Sequence, residues 1–277
     1  MSESFIPTLQ KCALQIQELL KATPTHYLDS TNASGDQQLG VDVKADCLIE
    51  KELLDLEFVC GICSEEKSEA ILRDQGTFLV AYDPLDGSSI IDANLSVGSI
   101  FGFYAGAFAA DKLIGAAYII YGPRLEIVFA STTLIRYTYH RGKWEQAPLS
   151  MLQKKGKINA PGGTQKHWSP SHKKLIDSLF DEGYRLRYSG GMVPDLHHIL
   201  IKGGGLFSYP QTSDSPKGKL RKLFEVFPFA FIYEKAGGAA IDGKRRLLEL
   251  EIQSLHESTP CFFGSVSEIQ KVKESYE

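Results

Sequence analysis

The sequence lacks any apolar run long enough to cross a lipid bilayer. Its most apolar stretch, residues 95–110, contains Ser96, Ser99 and three glycines, and Asp111-Lys112 follow it directly. A spanning helix needs about 20 predominantly apolar residues, so no transmembrane segment is predicted. The N-terminus has no basic start followed by an apolar core, so no secretory signal is predicted either. We therefore predict no membrane partner.

Cysteine is scarce, and neither sign of charge is in large excess. The five cysteines are scattered and odd in number, which argues against a disulfide framework and favours a reducing cytoplasm. Thirty basic and 34 acidic residues give a formal net charge of −4, which argues against nucleic acid as the main partner. What is present, 277 residues of which 43% are hydrophobic and 23% charged, is typical of a globular protein.

The spacing of apolar residues predicts blocks of helices alternating with blocks of strands. Helices are predicted over residues 8–22, 44–56, 170–182, 194–202 and 220–236, with a last one beginning at Ser265, where Ser265 and Glu268 match a capping box. Strands are predicted over residues 57–63 and 77–82, an antiparallel meander over 97–139, and a long polar loop over 23–40. Such blocks imply stacked layers. A change of composition over 148–163 predicts two subdomains, residues 1–148 and 149–277.

The segment Asp83-Pro84-Leu85-Asp86-Gly87-Ser88-Ser89 carries the clearest chemical signal. A buried strand ends there in two carboxylates three residues apart, and carboxylate oxygens are the ligands that hard divalent cations such as magnesium prefer. The Gly-Ser-Ser that follows offers unhindered N–H groups and hydroxyls, which suit a phosphate if a helix begins there. The alternative is a proline-containing turn with solvated acids.

A second acidic pair, Glu65-Glu66, also follows a predicted strand. Acids at a helix start are common, so the pair alone is compatible with a purely structural role. A parallel pairing of the two strands would bring both acidic pairs to one edge of the sheet. Two cations that clamp a phosphate would need at least this many carboxylates.

Glu225 lies on a predicted helix between Phe224 and Val226, in surroundings where an acid is costly to bury unless it is paired or metal-bound. A salt bridge from Glu225 to Arg221 or Lys222 is the alternative. Lys219 cannot share a helical face with Glu225, so it addresses another part of a ligand or precedes the helix.

Two aspartates of the N-terminal region have plain structural interpretations. Asp36 and Asp42 lie in or beside the polar loop, and Asp42 is placed to cap the helix that is predicted from Lys44. From the local sequence alone, both are interpreted as structural.

Several short segments follow one another in a fixed order: Asn32-Ala33-Ser34-Gly35-Asp36-Gln37, Ser64-Glu65-Glu66, Asp83 to Ser89, Arg187-Tyr188-Ser189-Gly190-Gly191-Met192-Val193, Tyr209-Pro210, Gly218-Lys219-Leu220, Glu225 and Glu234-Lys235-Ala236-Gly237-Gly238. This set resembles the class I fructose-1,6-bisphosphatases from about Asn32 to the C-terminus. The acidic pair and the Asp-Pro-Leu-Asp motif also resemble motifs that occur across the wider lithium-sensitive phosphatase superfamily. The Arg-Tyr block and the Lys-Leu-Arg block with Glu225 are typical of the bisphosphatases.

The resemblance implies an α+β fold, a layered α/β/α/β/α sandwich with two mixed sheets. It implies a cytoplasmic, metal-dependent phosphatase of gluconeogenesis that hydrolyses the 1-phosphate of fructose 1,6-bisphosphate to fructose 6-phosphate. Alternatives are a sedoheptulose-1,7-bisphosphatase or a dual-specificity enzyme, then an inositol monophosphatase or a catalytically silent sugar-phosphate sensor.

Carried over by position, the resemblance implies roles for individual residues. Magnesium, or manganese, would be bound by Glu65, Asp83, the Leu85 carbonyl, Asp86 and Glu225, with Asp36 at a further metal position. Asp42 and Glu66 would orient and deprotonate the attacking water. The substrate would contact Asp86, Gly87, Ser88, Ser89, Asn159, Tyr188, Met192, Tyr209 and Lys219. Arg187 would reach the distal phosphate of a neighbouring subunit, which implies a homodimer or homotetramer.

Two segments depart from the family pattern. In the family, an Asn-Glu-Gly block with a nearby tyrosine binds the distal phosphate, whereas this chain has Asn159-Ala160-Pro161-Gly162-Gly163-Thr164. That contact is therefore absent, or Lys166 or His167 replaces it. The AMP site of the eukaryotic enzymes uses a Lys-Tyr pair where this chain has Thr77-Phe78, so AMP inhibition of that kind is not expected.

Overall fold

The computed structural model describes residues 2–22, 27–31 and 37–276. Its helices are α1 (Ile6–Ala22), α2 (Gly40–Leu54), α3 (Pro170–Asp181), α4 (Met192–Ile201), α5 (Phe227–Lys235) and α6 (Val266–Tyr276). Its strands are β1 (Tyr27–Thr31), β2 (Gln37–Leu39), β3 (Val59–Ser64), β4 (Ile71–Leu72), β5 (Phe78–Asp86), β6 (Val97–Ala105), β7 (Leu113–Tyr121), β8 (Leu125–Ala130), β9 (Leu134–His140), β10 (Lys143–Pro148), β11 (Ile158–Pro161), β12 (Arg185–Leu186), β13 (Gly205–Tyr209), β14 (Ala239–Ile241) and β15 (Cys261–Gly264).

The strands form two large mixed sheets and one hairpin. The larger sheet has the order β10-β9-β8-β7-β6-β5-β3-β4, in which β3 and β5 are parallel and the other neighbours antiparallel. The smaller sheet has the order β12-β11-β13-β15-β14, with β12, β11 and β13 parallel. The hairpin pairs β1 with β2.

Five layers result, because the apolar faces of the helices cover both faces of each sheet. One cluster packs α1 and α2 on the larger sheet, through residues such as Ile16 and Ile49. A second places α4 and α5 between the two sheets, where Phe229 lies near Phe263 of β15. A third packs α3 and α6 on the outer face of the smaller sheet. The predicted α/β/α/β/α sandwich with two mixed sheets is confirmed. Among the described residues, no helix is both long and apolar enough to cross a bilayer.

The predicted helices and the meander are present with small changes at their ends, and four details were wrong. The segment predicted as one loop over residues 23–40 contains β1 and β2. The strand predicted to stop at Tyr82 continues to Asp86. The helix predicted over 220–236 is a π-helix over Lys222–Val226 followed by α5. The capping box before α6 is not formed, since Glu268 Oε1 instead accepts hydrogen bonds from the backbone N–H of Gly156 and from Tyr184 Oη, both at 2.6 Å.

The division at residues 148 and 149 stays a prediction. The two sheets use residues on either side of it, but the central apolar cluster is shared by both parts of the chain.

Candidate active site

The carboxyl ends of β3 and β5 lie side by side, as a parallel pairing requires. Ser64 pairs with Tyr82, and the backbone N–H of Glu65 donates to the Tyr82 carbonyl at 3.0 Å. Glu65 and Asp83 therefore emerge at the same edge of the larger sheet. The predicted meeting of the two acidic segments is confirmed.

A β-bulge places Asp83 and Asp86 on one face of the sheet. Asp83 pairs with Ile100 and Asp86 with Gly98, so three steps on β5 oppose two steps on β6. Pro84 has no N–H to give to the ladder, and Ser99 Oγ donates to its carbonyl at 2.7 Å. In a regular strand, residues three apart point to opposite faces. The extra residue returns Asp86 to the face that Asp83 occupies, which is the face covered by α4 and α5.

Glu225 completes a cluster of three buried acids. Its π-helix follows Arg221, whose backbone N–H donates to Glu225 Oε2 at 2.7 Å. One oxygen from each of Glu65, Asp83 and Glu225 lies within 4.8 Å of the other two. These residues are only 8%, 6% and 4% exposed, so their carboxylates have lost most of their water. We call these three residues the acid cage.

Asp86 lies beside the acid cage and is held by the start of α4. The backbone N–H groups of Met192 and Val193 donate to its two oxygens at 3.0 and 2.6 Å. These are the first two residues of the helix, whose N–H groups have no partner inside the helix and favour an anion. The carboxylate of Asp86 therefore fixes α4 against the end of β5.

Burial and mutual repulsion make these acids hard to ionise. Burial, then the charge of Glu225, raises the pKa of Glu65 to about 8. Burial likewise raises the pKa of Asp86 and of Glu225, each to about 7, and the pKa of Asp83 well above its usual range. Each negative charge would be stabilised by a nearby cation.

One cationic side chain already contacts the acid cage. The guanidinium of Arg221 forms an ion pair with Glu65 Oε1, and this charge lowers the pKa of Glu65 against the effect of burial. Glu65 Oε2 is buried and accepts no hydrogen bond within the part of the chain that the structure describes. Hard oxygen donors that converge without full internal pairing fit a divalent cation such as magnesium or manganese.

Three of the other residues implied as metal ligands or water-activating groups lie in β5, directly after β3 and in the first turn of α2. Leu85 is buried in the bulge, where its N–H donates to Asp83 Oδ1 at 2.9 Å. Asp42 is buried in the first turn of α2, and it does not cap the helix because α2 already begins at Gly40. Glu66 is half-buried, and its N–H donates to Ser64 Oγ at 3.2 Å. Asp36 lies outside the described residues.

A cavity of about 90 Å³ opens next to Asp86 and joins five of the residues implied to bind substrate. Its wall contains Asp86, Tyr188, Met192, Tyr209 and Lys219, together with Gly190, Gly191, Phe207 and Leu220. Lys219 precedes the π-helix, which is one of the two positions predicted for it from the sequence. The cavity therefore places two phenols and one ammonium group next to Asp86, the residue that lies beside the acid cage.

The segment Gly87-Ser88-Ser89 enters a short 3₁₀ turn rather than an α-helix. Gly87 adopts a φ of 83°, and a Cβ at this position would lie 3.4 Å from Gly191 Cα. Glycine thus permits the left-handed backbone at this position. Ser88 is half-buried and Ser89 exposed, so both hydroxyls remain accessible.

Asn159 does not line the cavity. It is fully buried in β11, and its Oδ1 and Nδ2 have no hydrogen-bond partner among the described residues. Gly162 lies closer to the substrate side, because a Cβ there would be 2.5 Å from Tyr209 Cδ2 and 3.1 Å from Tyr188 Oη. His167 contacts Ser213 Oγ at 2.8 Å instead of the cavity wall.

Arg187 is exposed just beyond the edge strand β12. Its backbone N–H donates to the Asn159 carbonyl at 3.0 Å, and its guanidinium donates to the Leu186 carbonyl at 2.6 Å. Its position is compatible with a contact to another molecule.

Sequence reasoning missed three residues that organise the site. Arg221 was considered only as a salt-bridge partner of Glu225, whereas its guanidinium pairs with Glu65. Ser99 gave no signal because its partner, the Pro84 carbonyl, belongs to another strand. Asp195 accepts hydrogen bonds from the backbone of Ser189 at 2.8 and 3.0 Å and of Gly190 at 3.4 Å. Its position four residues after Gly191 was the only available signal that it orders this loop.

Comparisons with known proteins find the same family in both parts of the chain. Residues 19–146 match the family model "Fructose-1-6-bisphosphatase, N-terminal domain", and residues 152–277 match the corresponding C-terminal domain. The chain is 60% identical over 279 residues to fructose-1,6-bisphosphatase class 1 of Helicobacter hepaticus, with 100% of both chains covered. The crystal structure of Leishmania major fructose-1,6-bisphosphatase in holo form superposes with a TM-score of 0.92 and 31% identity, over 98% of this chain and 93% of that one. A Toxoplasma gondii structure whose name proposes a sedoheptulose-1,7-bisphosphatase superposes with a TM-score of 0.90 and 30% identity, over 99% and 92%.

Proposed function

The chain belongs to the class I fructose-1,6-bisphosphatases and is a metal-dependent phosphoric monoester hydrolase; from that premise we propose how its residues act. The reaction is hydrolysis of the 1-phosphate of fructose 1,6-bisphosphate, which gives fructose 6-phosphate and phosphate. The main support for locating this reaction is that Glu65, Asp83 and Glu225 converge beside Asp86, which lines the cavity.

We propose that the acid cage, Asp86 and the Leu85 carbonyl hold magnesium, with manganese as the alternative cation and Asp36 as a further ligand. The donor set supports this proposal, because buried carboxylates with raised pKa values gain most from a bound divalent cation. Such a cation would neutralise the charge of the phosphate dianion and would lower the pKa of a bound water.

Asp42 and Glu66 are the proposed groups that orient and deprotonate the attacking water. They come from two different elements, the first turn of α2 and the segment after β3. A base of this kind must lie within hydrogen-bond reach of the proton that it accepts. Both residues belong to segments that reach the edge of the sheet where the acid cage lies.

The substrate groups are assigned by what the cavity wall and the Gly87-Ser88-Ser89 segment after β5 offer. Gly87, Ser88 and Ser89 present backbone N–H groups and hydroxyls to the phosphate that leaves. Tyr188, Tyr209 and Lys219 supply two phenols and an ammonium group to the sugar and the distal phosphate. Met192 contributes an apolar wall, whereas Asn159 is proposed only as a more distant support because it is fully buried.

We further propose that the enzyme works as a homodimer or homotetramer in the cytoplasm. The exposed Arg187 would contribute to the distal phosphate site of a neighbouring subunit. The five free cysteines support a reducing compartment. Residues 1–148 would supply most of the metal ligands and residues 149–277 most of the sugar contacts, with Glu225 crossing that division.

Phosphate release tests the proposed function. The enzyme should release phosphate from fructose 1,6-bisphosphate with magnesium and not with excess EDTA. Turnover restricted to sedoheptulose 1,7-bisphosphate or to inositol phosphate would transfer the assignment to those alternatives. The absence of metal-dependent turnover on any phosphate ester would instead favour a sugar-phosphate sensor.

A further inference from the structure

Four side chains outside the acid cage connect α2 to the ends of both acid-bearing strands. Tyr82 Oη donates to Asp46 Oδ1 at 2.8 Å, and Lys67 Nζ lies 3.2 Å from Asp46 Oδ2. The same ammonium group forms an ion pair with Glu50 Oε2. Asp46 and Glu50 belong to α2, Tyr82 belongs to β5, and Lys67 follows β3. We call these four residues the α2 network.

The α2 network is mostly buried, which makes its geometry sensitive to the loss of one member. Tyr82 is 0% exposed and Asp46 is 3% exposed, and the side chains of Lys67 and Glu50 are 33% and 28% exposed. Asp46 and Glu50 are one helical turn apart, so their carboxylates would repel each other without Lys67 between them. Tyr82 satisfies the second oxygen of Asp46, which would otherwise be buried without a partner.

The α2 network lies next to both proposed water-activating acids. Asp42 precedes Asp46 by four residues on α2, so the two side chains share one face of the helix. Glu66 directly precedes Lys67. The Asp46–Lys67 ion pair therefore joins the two segments that carry Asp42 and Glu66, one turn from the first and one residue from the second.

We propose that Asp46 and Lys67, supported by Tyr82, are positioning residues that hold Asp42 and Glu66 together for activation of the water. This inference rests on the proposed function. Neither residue lines the cavity beside Asp86. Their loss should therefore affect the reaction of bound substrate rather than its binding.

Steady-state kinetics of Lys67→Met test the proposal. The kcat of this variant should be about tenfold lower than that of the wild type, because losing a residue that supports a catalytic group typically lowers activity by at least this factor. Its KM for fructose 1,6-bisphosphate should stay within about twofold. Lys67→Arg keeps the charge and should restore most of kcat. Tyr82→Phe should also lower kcat, by less, and its effect should not be additive with that of Lys67→Met because both act through Asp46.

Lys11→Met is the matched control. Lys11 Nζ lies 2.6 Å from Glu52 Oε2, so this substitution removes another ion pair of α2 with a buried acid, away from the acid cage. Lys67→Met removes two ion pairs and should lose at least as much thermal stability as Lys11→Met, but only Lys67→Met should lose kcat. A wild-type kcat in Lys67→Met, or an equal loss of kcat in Lys11→Met, would overturn the proposal.

Two further outcomes keep the inference separate from the proposed function. If Lys67→Met does not fold, a wild-type kcat in Tyr82→Phe would overturn the proposal, and a lowered kcat with unchanged KM would support it. If the wild-type protein itself fails to hydrolyse fructose 1,6-bisphosphate, the proposed function fails and the inference falls with it. If the wild type hydrolyses fructose 1,6-bisphosphate and both Lys67→Met and Tyr82→Phe keep its kcat, only the inference is overturned.

Discussion

The acid cage should make the metal-free protein less stable as the pH rises. In the folded protein, burial raises the pKa of Glu65 to about 8 and that of Glu225 to about 7, against ordinary values of 4.5. Asp86 shows the same direction, from 3.8 to about 7. Above about pH 4.5, the unfolded chain has released protons that the folded protein still holds. The free energy of unfolding therefore falls until the folded groups have also ionised, near pH 8.

The pKa of Glu65 sets the scale of the effect. Each pKa unit corresponds to about 1.4 kcal/mol, so a change from 4.5 to about 8 corresponds to about 5 kcal/mol. A protein of this size shifts its Tm by roughly 2–4 °C per kcal/mol, which predicts a fall of roughly 10–20 °C. Burial lowers the pKa of His172 and of His197 to about 4. These two groups raise the free energy of unfolding as the pH rises, because the unfolded chain binds protons there that the folded protein does not.

The comparison of wild type with Glu225→Gln removes the histidine contribution. Thermal unfolding in excess EDTA, followed from about pH 4.5 to about pH 8, should show a steeper loss of Tm in the wild type than in the variant. Saturating magnesium should recover more Tm at the higher pH, because a cation binds the ionised carboxylates. Parallel Tm curves for the two proteins, or a Tm recovery by magnesium that is independent of pH, would refute this reasoning.

Three further outcomes follow from the site. Asp86→Ala should lower kcat at least about 1,000-fold, since a bound divalent cation contributes several kcal/mol to catalysis; the exposed Asp111→Ala should be neutral, and near-normal turnover in Asp86→Ala would contradict the site. Gly162→Ala should raise KM about tenfold with little change in kcat, because its Cβ would displace the Tyr209 ring 2.5 Å away, and an unchanged KM would count against the role of that wall. AMP should inhibit weakly or not at all, and half-inhibition at micromolar AMP would show that this expectation is wrong.

Periodicity predicted the helices, the meander and the stacking of layers, whereas the five-layer sandwich with two mixed sheets was predicted from the family resemblance. The apolar face of α1 and the continuous apolar run before Asp83 each have one energetically reasonable partner, a sheet and a helix layer. The β1–β2 hairpin was missed because its polar sequence resembles a loop. The continuation of β5 past Pro84 was missed because the bulge depends on Ser99, which belongs to β6.

The site was predictable in its acids and less so in its supports. Glu65 and Asp83 follow the ends of the two predicted strands, so the prediction that they meet required only a parallel pairing of those strands. Glu225 came with them through the family resemblance. Arg221, Ser99 and Asp195 act through contacts with segments distant in sequence or through backbone groups of a loop, and such contacts leave no periodic signal.

Anomalous diffraction from crystals grown with manganese is the most direct test of the central claim. The account predicts a manganese peak among the carboxylate oxygens of Glu65, Asp83 and Glu225, lost in Glu225→Gln together with turnover. Metal-dependent hydrolysis of fructose 1,6-bisphosphate with no cation at these three residues would contradict it.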